Sequence, residues 1–139
     1  MADLEISLTN DLGELVPLAA QIEEFCAARG LAPSVAFALN LSLDELLTNT
    51  ISYGYDDGDS HRIDVVVRME GSAIVVEISD DAKPFDPADA PRPDTGAALE
   101  DRPIGGLGVH FVRKMMDGFR YSRSGGRNIV TLTKEAGAS

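Results

Sequence analysis

Three short runs of this chain carry residue types that can do chemistry. In Leu43-Asp44-Glu45-Leu46-Leu47-Thr48-Asn49-Thr50, a carboxylate and a carboxamide stand four residues apart. On a helix that spacing puts both on one face, one turn apart. Glu45 can take a proton, and the Asn49 amide oxygen can ligate a hard cation such as Mg²⁺. An isolated Glu/Asn pair is ordinarily just a solvated helix face. Here Leu43, Leu46 and Leu47 bury the helix, so the polar pair must lie at the margin of a core.

The second run is Ile78-Ser79-Asp80-Asp81-Ala82-Lys83-Pro84-Phe85-Asp86, an apolar strand that ends abruptly in two acids. An Asp at a strand end can accept a hydrogen bond from an exocyclic amine such as adenine N6. Taken alone, the same residues make a turn punctuated by Pro84. In the third run, Pro103-Ile104-Gly105-Gly106-Leu107-Gly108-Val109-His110-Phe111, glycines lead into an amphipathic helix. A helix N-terminus offers unpaired N–H groups, and glycine lets backbone approach a phosphate closely. The plain alternative is a flexible hinge. Two familiar phosphate motifs are excluded. No Gly-Lys-Ser/Thr is present, so this is not a P-loop. Gly106-x-Gly108 has Phe111 where a third glycine belongs and no strand before it, so the dinucleotide fingerprint fails.

The elements that must hold these runs follow from periodicity. Leu4, Ile6 and Leu8 alternate with polar residues as a first strand. Asn10 or Asp11 can cap a helix with Leu15, Ala19, Ile22 and Cys26 as its buried stripe, regular from about Pro17 and stopped at Gly30. A second helix starts near Pro33-Ser34, buries Ala36, Leu39, Leu43, Leu46, Leu47 and Thr50, and ends at Gly54 and the Asp56-Asp57-Gly58 turn. Ile63, Val65, Val67 and Met69, then Ile74, Val76 and Ile78, alternate around Glu70-Gly71-Ser72 as a hairpin. Residues 82–103 form a long Pro-, Ala- and Asp-rich loop of the length expected for a lid. Leu107, Phe111, Val112 and Met115 mark a third helix. A last hairpin runs from Phe119 and Tyr121 through Gly125-Gly126 to Val130 and Leu132. Helices grouped on one face of hairpin-paired strands predict an α+β two-layer sandwich with a mixed, mostly antiparallel sheet.

The bulk numbers narrow the function classes. A chain of 139 residues, 44% hydrophobic, is expected to be a single domain over 1–139. Its net charge of −11 repels nucleic acid and anionic membranes, so neither is an expected partner. No apolar run approaches the roughly 20 residues a membrane helix needs. Cys26 is the only cysteine, which rules out an internal disulfide, and the absence of a signal-peptide pattern predicts a reducing, cytoplasmic setting. Cys26, His61 and His110 lie too far apart in sequence for a structural zinc motif. His61 reads as a loop histidine, His110 and Phe111 as packing or surface residues, and Met115 and Met116 as core or partner surface.

Together and in this order, the three runs resemble the nucleotide-binding boxes of the GHKL (Bergerat-fold) ATPase superfamily, and most closely its anti-sigma-factor serine/threonine kinase branch. The first box is Glu45-Leu-Leu-Thr-Asn49 with Tyr53-Gly54-Tyr55, the second Asp80 to Asp86, and the third Gly105 to Arg113, running on to Met116-Asp117. Tyr121…Gly126-Arg-Asn128…Leu132-Thr-Lys134 also resembles that branch, and the match covers residues 5 to 134. The resemblance implies ATP and Mg²⁺ as cofactors and a Bergerat ATP-binding fold. It implies that Asn49 holds the Mg²⁺, Asp80 accepts the adenine amine, and Gly105, Gly106 and Gly108 offer backbone to the phosphates. Tyr53, Ala82, Phe85, Leu107, Val109 and Asn128 would line the nucleotide site, and Glu45 would be the general base. It implies a kinase that sequesters a sigma factor and phosphorylates a small STAS-type antagonist on Ser or Thr. Members often form homodimers, though no feature here marks an interface. The chain departs from the pattern at Ala82, where the family usually has Gly, at Tyr53, where many relatives have His, and at Asn128, near a position often held by Thr. Its lid, residues 87–103, is short and carries Arg92 and Arg102. Two other functions are weighed against the kinase. A nucleotide-binding module without phosphotransfer fits Ala82 and the short lid. A histidine-kinase ATP domain generally has Asn where this chain has Glu45.

Overall fold

The computed structural model describes residues 3–55, 58–84 and 112–135. Strand β1 (Leu4–Thr9) is followed by a 3₁₀ turn (Leu12–Glu14), helix α1 (Leu15–Ala28) and helix α2 (Pro33–Tyr53). The hairpin β2 (Arg62–Glu70) and β3 (Ala73–Asp80) comes next, and the hairpin β4 (Gly118–Ser124) and β5 (Arg127–Glu135) closes the order. The sheet runs β1-β2-β3-β5-β4, and every pairing is antiparallel. The expected α+β architecture is therefore present, with no parallel pair among the described strands.

Local chemistry explains where the elements start and stop. Asp11 caps the 3₁₀ turn by accepting the Gly13 N–H at 2.9 Å. Pro17 falls in the first turn of α1, where its missing N–H has no intrahelical acceptor to lose. At the other end, Leu31 N donates to Cys26 O at 2.9 Å and Gly30 N to Ala27 O at 3.1 Å. That pair of bonds is a Schellman stop. Pro33 is the first residue of α2, and Ala32 before it is extended, as a residue preceding proline must be. The β4–β5 turn needs positive φ at both central residues, and Gly125 (+59°) and Gly126 (+79°) provide it.

The alternating strand residues Ile63, Val65, Val67, Ile74, Val76 and Leu132 are completely buried and form one core with both helices. The stripe of α1 is rotated from the sequence expectation. Leu18 and Phe25 join Ile22 and Cys26 in the core, while Leu15 and Ala19 are half-buried. On α2, Val35, Ala38 and Ser42 are buried along with Leu39, Leu43, Leu46 and Leu47, while Ala36 and Thr50 are half-buried. A helix that packs against both a neighbouring helix and the shared core buries more than one narrow stripe. Of the expected third helix, residues 112–115 are described, with Val112 buried beside Met116. Lys134 donates to the Met115 carbonyl at 2.8 Å and so satisfies an orphan acceptor at that helix end. The lid, the Asp56-Asp57 turn and the glycine run lie outside the described residues. Among the described residues no helix is long and apolar enough to cross a membrane.

Candidate functional site

The C-terminal half of α2 faces the ends of β3 and β5 across a cavity of about 340 Å³. Leu46, Asn49, Thr50, Tyr53 and Gly54 line one wall, and Ile78, Asp80, Asn128 and Val130 the other. Ala82, Lys83 and Pro84 close one side. Its surface is mainly apolar, with polar groups at a few points, the usual make-up of a small-molecule site.

Strand register builds the polar wall. Asp80 pairs with Asn128 across β3 and β5, and Asn128 pairs with Arg123 across β5 and β4. The Asn128 side chain donates to Asp80 Oδ1 at 3.0 Å, to the Lys83 carbonyl at 2.8 Å and to the Ala82 carbonyl at 3.2 Å. Asp80 Oδ1 also accepts the Ala82 N–H at 3.0 Å. The carboxylate is 4% exposed, and among the described residues its second oxygen takes no hydrogen bond. An open acceptor on a largely buried carboxylate in the wall of an apolar cleft matches a ligand that brings its own N–H.

Asn49 occupies the α2 wall, and its Nδ2 is buried without a hydrogen-bond partner among the described residues. Amide oxygen and nitrogen exchange on a half-turn of the side chain, so this point offers a donor or a metal-ligating acceptor. Glu45 stands one turn earlier on α2, half-buried, and does not line the cavity. Tyr53 is half exposed at the mouth. Phe85, Gly105, Gly106, Leu107, Gly108 and Val109, expected on the phosphate side, lie outside the described residues. No cluster of three or more His, Cys, Asp or Glu that suits a metal occurs among the described residues. A cation here would need a ligand such as Asn49 plus oxygens brought by its substrate, as Mg²⁺ commonly does.

Ala82 is buried and lines the cavity, and no non-glycine residue described has positive φ, so its backbone carries no left-handed strain. Its methyl lies against Gly54. A Cβ on Gly54 would stand 2.8 Å from the Ala82 Cβ and 2.6 Å from the Thr50 carbonyl oxygen. Gly54 thus ends α2 with an ordinary helical φ of −82°, and its glycine is required by close approach. The Lys83 N–H donates to the Gly54 carbonyl at 3.1 Å and ties the loop after β3 to the helix end.

Sequence reasoning missed a clasp behind this wall. Asp81 accepts from the Tyr55 hydroxyl at 3.1 Å and pairs with His61 Nδ1 at 3.1 Å. The Tyr55 and His61 rings stack with centroids 4.2 Å apart. His61 does lie in the loop, immediately before β2, and its half-buried ring has a structural role there. Burial pushes the Asp81 carboxyl up, but hydrogen bonds from His61 and Tyr55 outweigh it and hold the group below the usual carboxylate range. Burial, then the nearby Asp80 and the bond to Asp81, push the Tyr55 hydroxyl well above its ordinary value. The one sequence signal was the proximity of Tyr55 to the first box; the partners come from separate strands.

Comparisons with known proteins agree with this architecture. Residues 8–134 match the family of histidine kinase-like ATPase domains. The chain is 31% identical to the serine/threonine-protein kinase BtrW of Bordetella bronchiseptica over 100 residues, 72% of this chain and 70% of BtrW. It superposes on a structure of RsbU and RsbW domains from Mycobacterium tuberculosis with a TM-score of 0.67 at 19% identity, covering 95% of this chain and 32% of that one. The chain thus spans about a third of that mycobacterial structure. A blue-light activated histidine kinase domain from Erythrobacter litoralis gives a TM-score of 0.57 at 20% identity, covering 90% of this chain and 61% of that one. At such identities these structural likenesses speak for the fold alone. The ordered boxes, the two-layer fold and the match over most of its length show that this chain belongs to the histidine kinase-like ATPase domains of the GHKL (Bergerat-fold) superfamily, in the anti-sigma-factor serine/threonine kinase branch.

Proposed function

We propose that this protein is an ATP-dependent serine/threonine kinase that acts as an anti-sigma regulatory factor in the cytoplasm. It binds a sigma factor and phosphorylates a small antagonist protein on Ser or Thr. The observation that carries this reading is the cavity with an open Asp80 oxygen on one wall and the unpartnered Asn49 amide on the other. The 4% exposed carboxylate suits the adenine amine, and the apolar lining suits the flat faces of the base.

Asn49 would hold Mg²⁺ through its side-chain oxygen, together with phosphate oxygens of the nucleotide. The cation would supply charge neutralisation of the nucleotide's phosphates. Glu45 takes the proton from the antagonist hydroxyl as the oxygen attacks the γ-phosphorus. The new O–P bond forms as the bond to the β–γ bridging oxygen breaks, and ADP leaves with that electron pair. Phosphoryl transfer asks the protein mainly for positioning and for charge balance, which a rigid helix presenting both residues one turn apart provides.

The position of Glu45 outside the cavity lining also fits a nucleotide-binding module that regulates by association alone. The two readings separate when the protein is incubated with Mg-[γ-³²P]ATP and an antagonist captured from the native cell. A kinase labels the antagonist on Ser or Thr. Sigma-factor binding without any label supports the module.

A further inference from the structure

Asp80, Asn128 and Arg123 stand in one row across β3, β5 and β4, and Tyr121 is two residues back on the same face of β4. The Asn128 Oδ1 accepts from the Tyr121 hydroxyl at 2.6 Å and from Arg123 Nη1 at 2.8 Å. Arg123 is further held by donating to the Ala82 carbonyl at 3.3 Å and, through Nη2, to the Gly126 carbonyl at 3.3 Å. The orientation of the Asn128 amide is thereby settled. Arginine has no acceptor, so Oδ1 must face it. The Ala82 and Lys83 carbonyls have no donor, so Nδ2 must face them. That orientation directs an N–H at Asp80 Oδ1 and makes it an acceptor already in use. The amide links the positive guanidinium to the buried carboxylate, and each bond in such a chain polarises the next.

We infer that Tyr121 and Arg123 are positioning residues that act through Asn128 to set the pocket's preference for a base bearing an exocyclic amine over one bearing a carbonyl. The inference rests on the nucleotide reading of the cavity and assigns its base selectivity to β4. With both donors in place, Asp80 presents only its second oxygen to the ligand, and only as an acceptor. An amine donates to that oxygen. A carbonyl at the same place meets it with like charge. Without the donors, Asn128 Oδ1 is a buried acceptor with no partner, and the amide is released to turn or to admit water. Asp80 then loses its fixed donor, and the distinction between amine and carbonyl weakens.

The test is calorimetric titration of ADP and IDP, whose bases carry an amine and a carbonyl at the 6-position and an acceptor and an N–H at the adjoining N1, into wild type, Tyr121→Phe and the double variant Tyr121→Phe/Arg123→Leu. Wild type should favour ADP by roughly 10- to 100-fold, the range of a hydrogen bond to a charged acceptor. In the double variant that ratio should fall at least about fivefold, and in Tyr121→Phe, which loses a single hydroxyl, about threefold. A purely structural role would weaken both nucleotides alike and leave the ratio unchanged, which overturns the inference. A wild type that binds both nucleotides equally overturns it as well, while leaving a nucleotide site in place. A wild type that binds neither overturns the nucleotide reading, and the inference falls with it. Should the double variant fail to fold, the Tyr121→Phe ratio decides between these outcomes.

Discussion

Glu45 and Asn49 share one turn of α2 and are assigned separate work, so their variants should fail differently. Glu45→Gln keeps size and hydrogen-bonding capacity and loses the ability to take a proton. It should retain ATP affinity and lose phosphotransfer to the antagonist by about 10²- to 10⁴-fold. Labelling at the wild-type rate removes Glu45 as the base. Asn49→Ala should lose the Mg²⁺-dependent part of ATP binding, read as equal affinity with Mg²⁺ and with a chelator. At this scale the sequence was informative where one element carries the whole constellation. The four-residue spacing of Glu45 and Asn49 is readable because the helix is local. The Arg123–Asn128–Asp80 row joins positions 48 residues apart between Asp80 and Asn128, and only sheet register brings them together. No spacing rule announces such a row.

The elements are tied where they meet, and the ties make their own predictions. The Tyr55–Asp81–His61 clasp links the end of α2 to the head of β2 and the end of β3. Because the folded Tyr55 pKa lies above the unfolded value near 10, its contribution to stability is complete below that pH and is lost as pH rises toward the folded value. Asp81 has the opposite sign. Its folded pKa is depressed, so its contribution is present above about pH 4 and is lost as pH falls through the folded value. At about pH 11 Tyr55 should therefore stay protonated in the folded protein and ionise in the urea-unfolded chain, so unfolding should raise tyrosinate absorbance. Tyr55→Phe should shrink that rise by one tyrosine's worth, and an equal rise in wild type and variant would contradict the clasp. Gly54 gives a second test. Gly54→Ala should cost about 2–3 kcal/mol, because its Cβ meets both the Ala82 methyl and the Thr50 carbonyl. Adding Ala82→Gly removes the first clash and should restore roughly half, measured by urea unfolding. Strict additivity would show that the two residues do not press on each other. The sequence marked Gly54 as a helix stop, and that was right about place. The cause, a loop folding back from β3, is a tertiary fact no local pattern holds.

Across the molecule, the cavity exists only because three distant segments converge on one core. Leu39, on the core side of α2, is completely buried and lines no part of the cavity. Leu39→Ala should cost about 3 kcal/mol and lower the thermal midpoint by roughly 10 °C, with ADP affinity unchanged in the folded protein. A nucleotide that bridges the helix wall to the sheet wall should also raise the midpoint, since a ligand at 100 times its Kd adds about 2.7 kcal/mol. The order of strands and helices was legible because alternation and helical periodicity are strong here. The depth of Asp80 was not, because an acidic pair at a strand end looks the same in a surface turn. Asp80→Asn tests the site most directly. The Ala82 N–H and Asn128 Nδ2 donate at 3.0 Å to the inner position, so the new amide must turn its oxygen inward and its NH₂ toward the ligand. That replaces an acceptor by a donor and changes little else. Titration of ADP and IDP should show wild type preferring ADP and Asp80→Asn preferring IDP. An unchanged preference for ADP in the variant would contradict the placement of the base against Asp80.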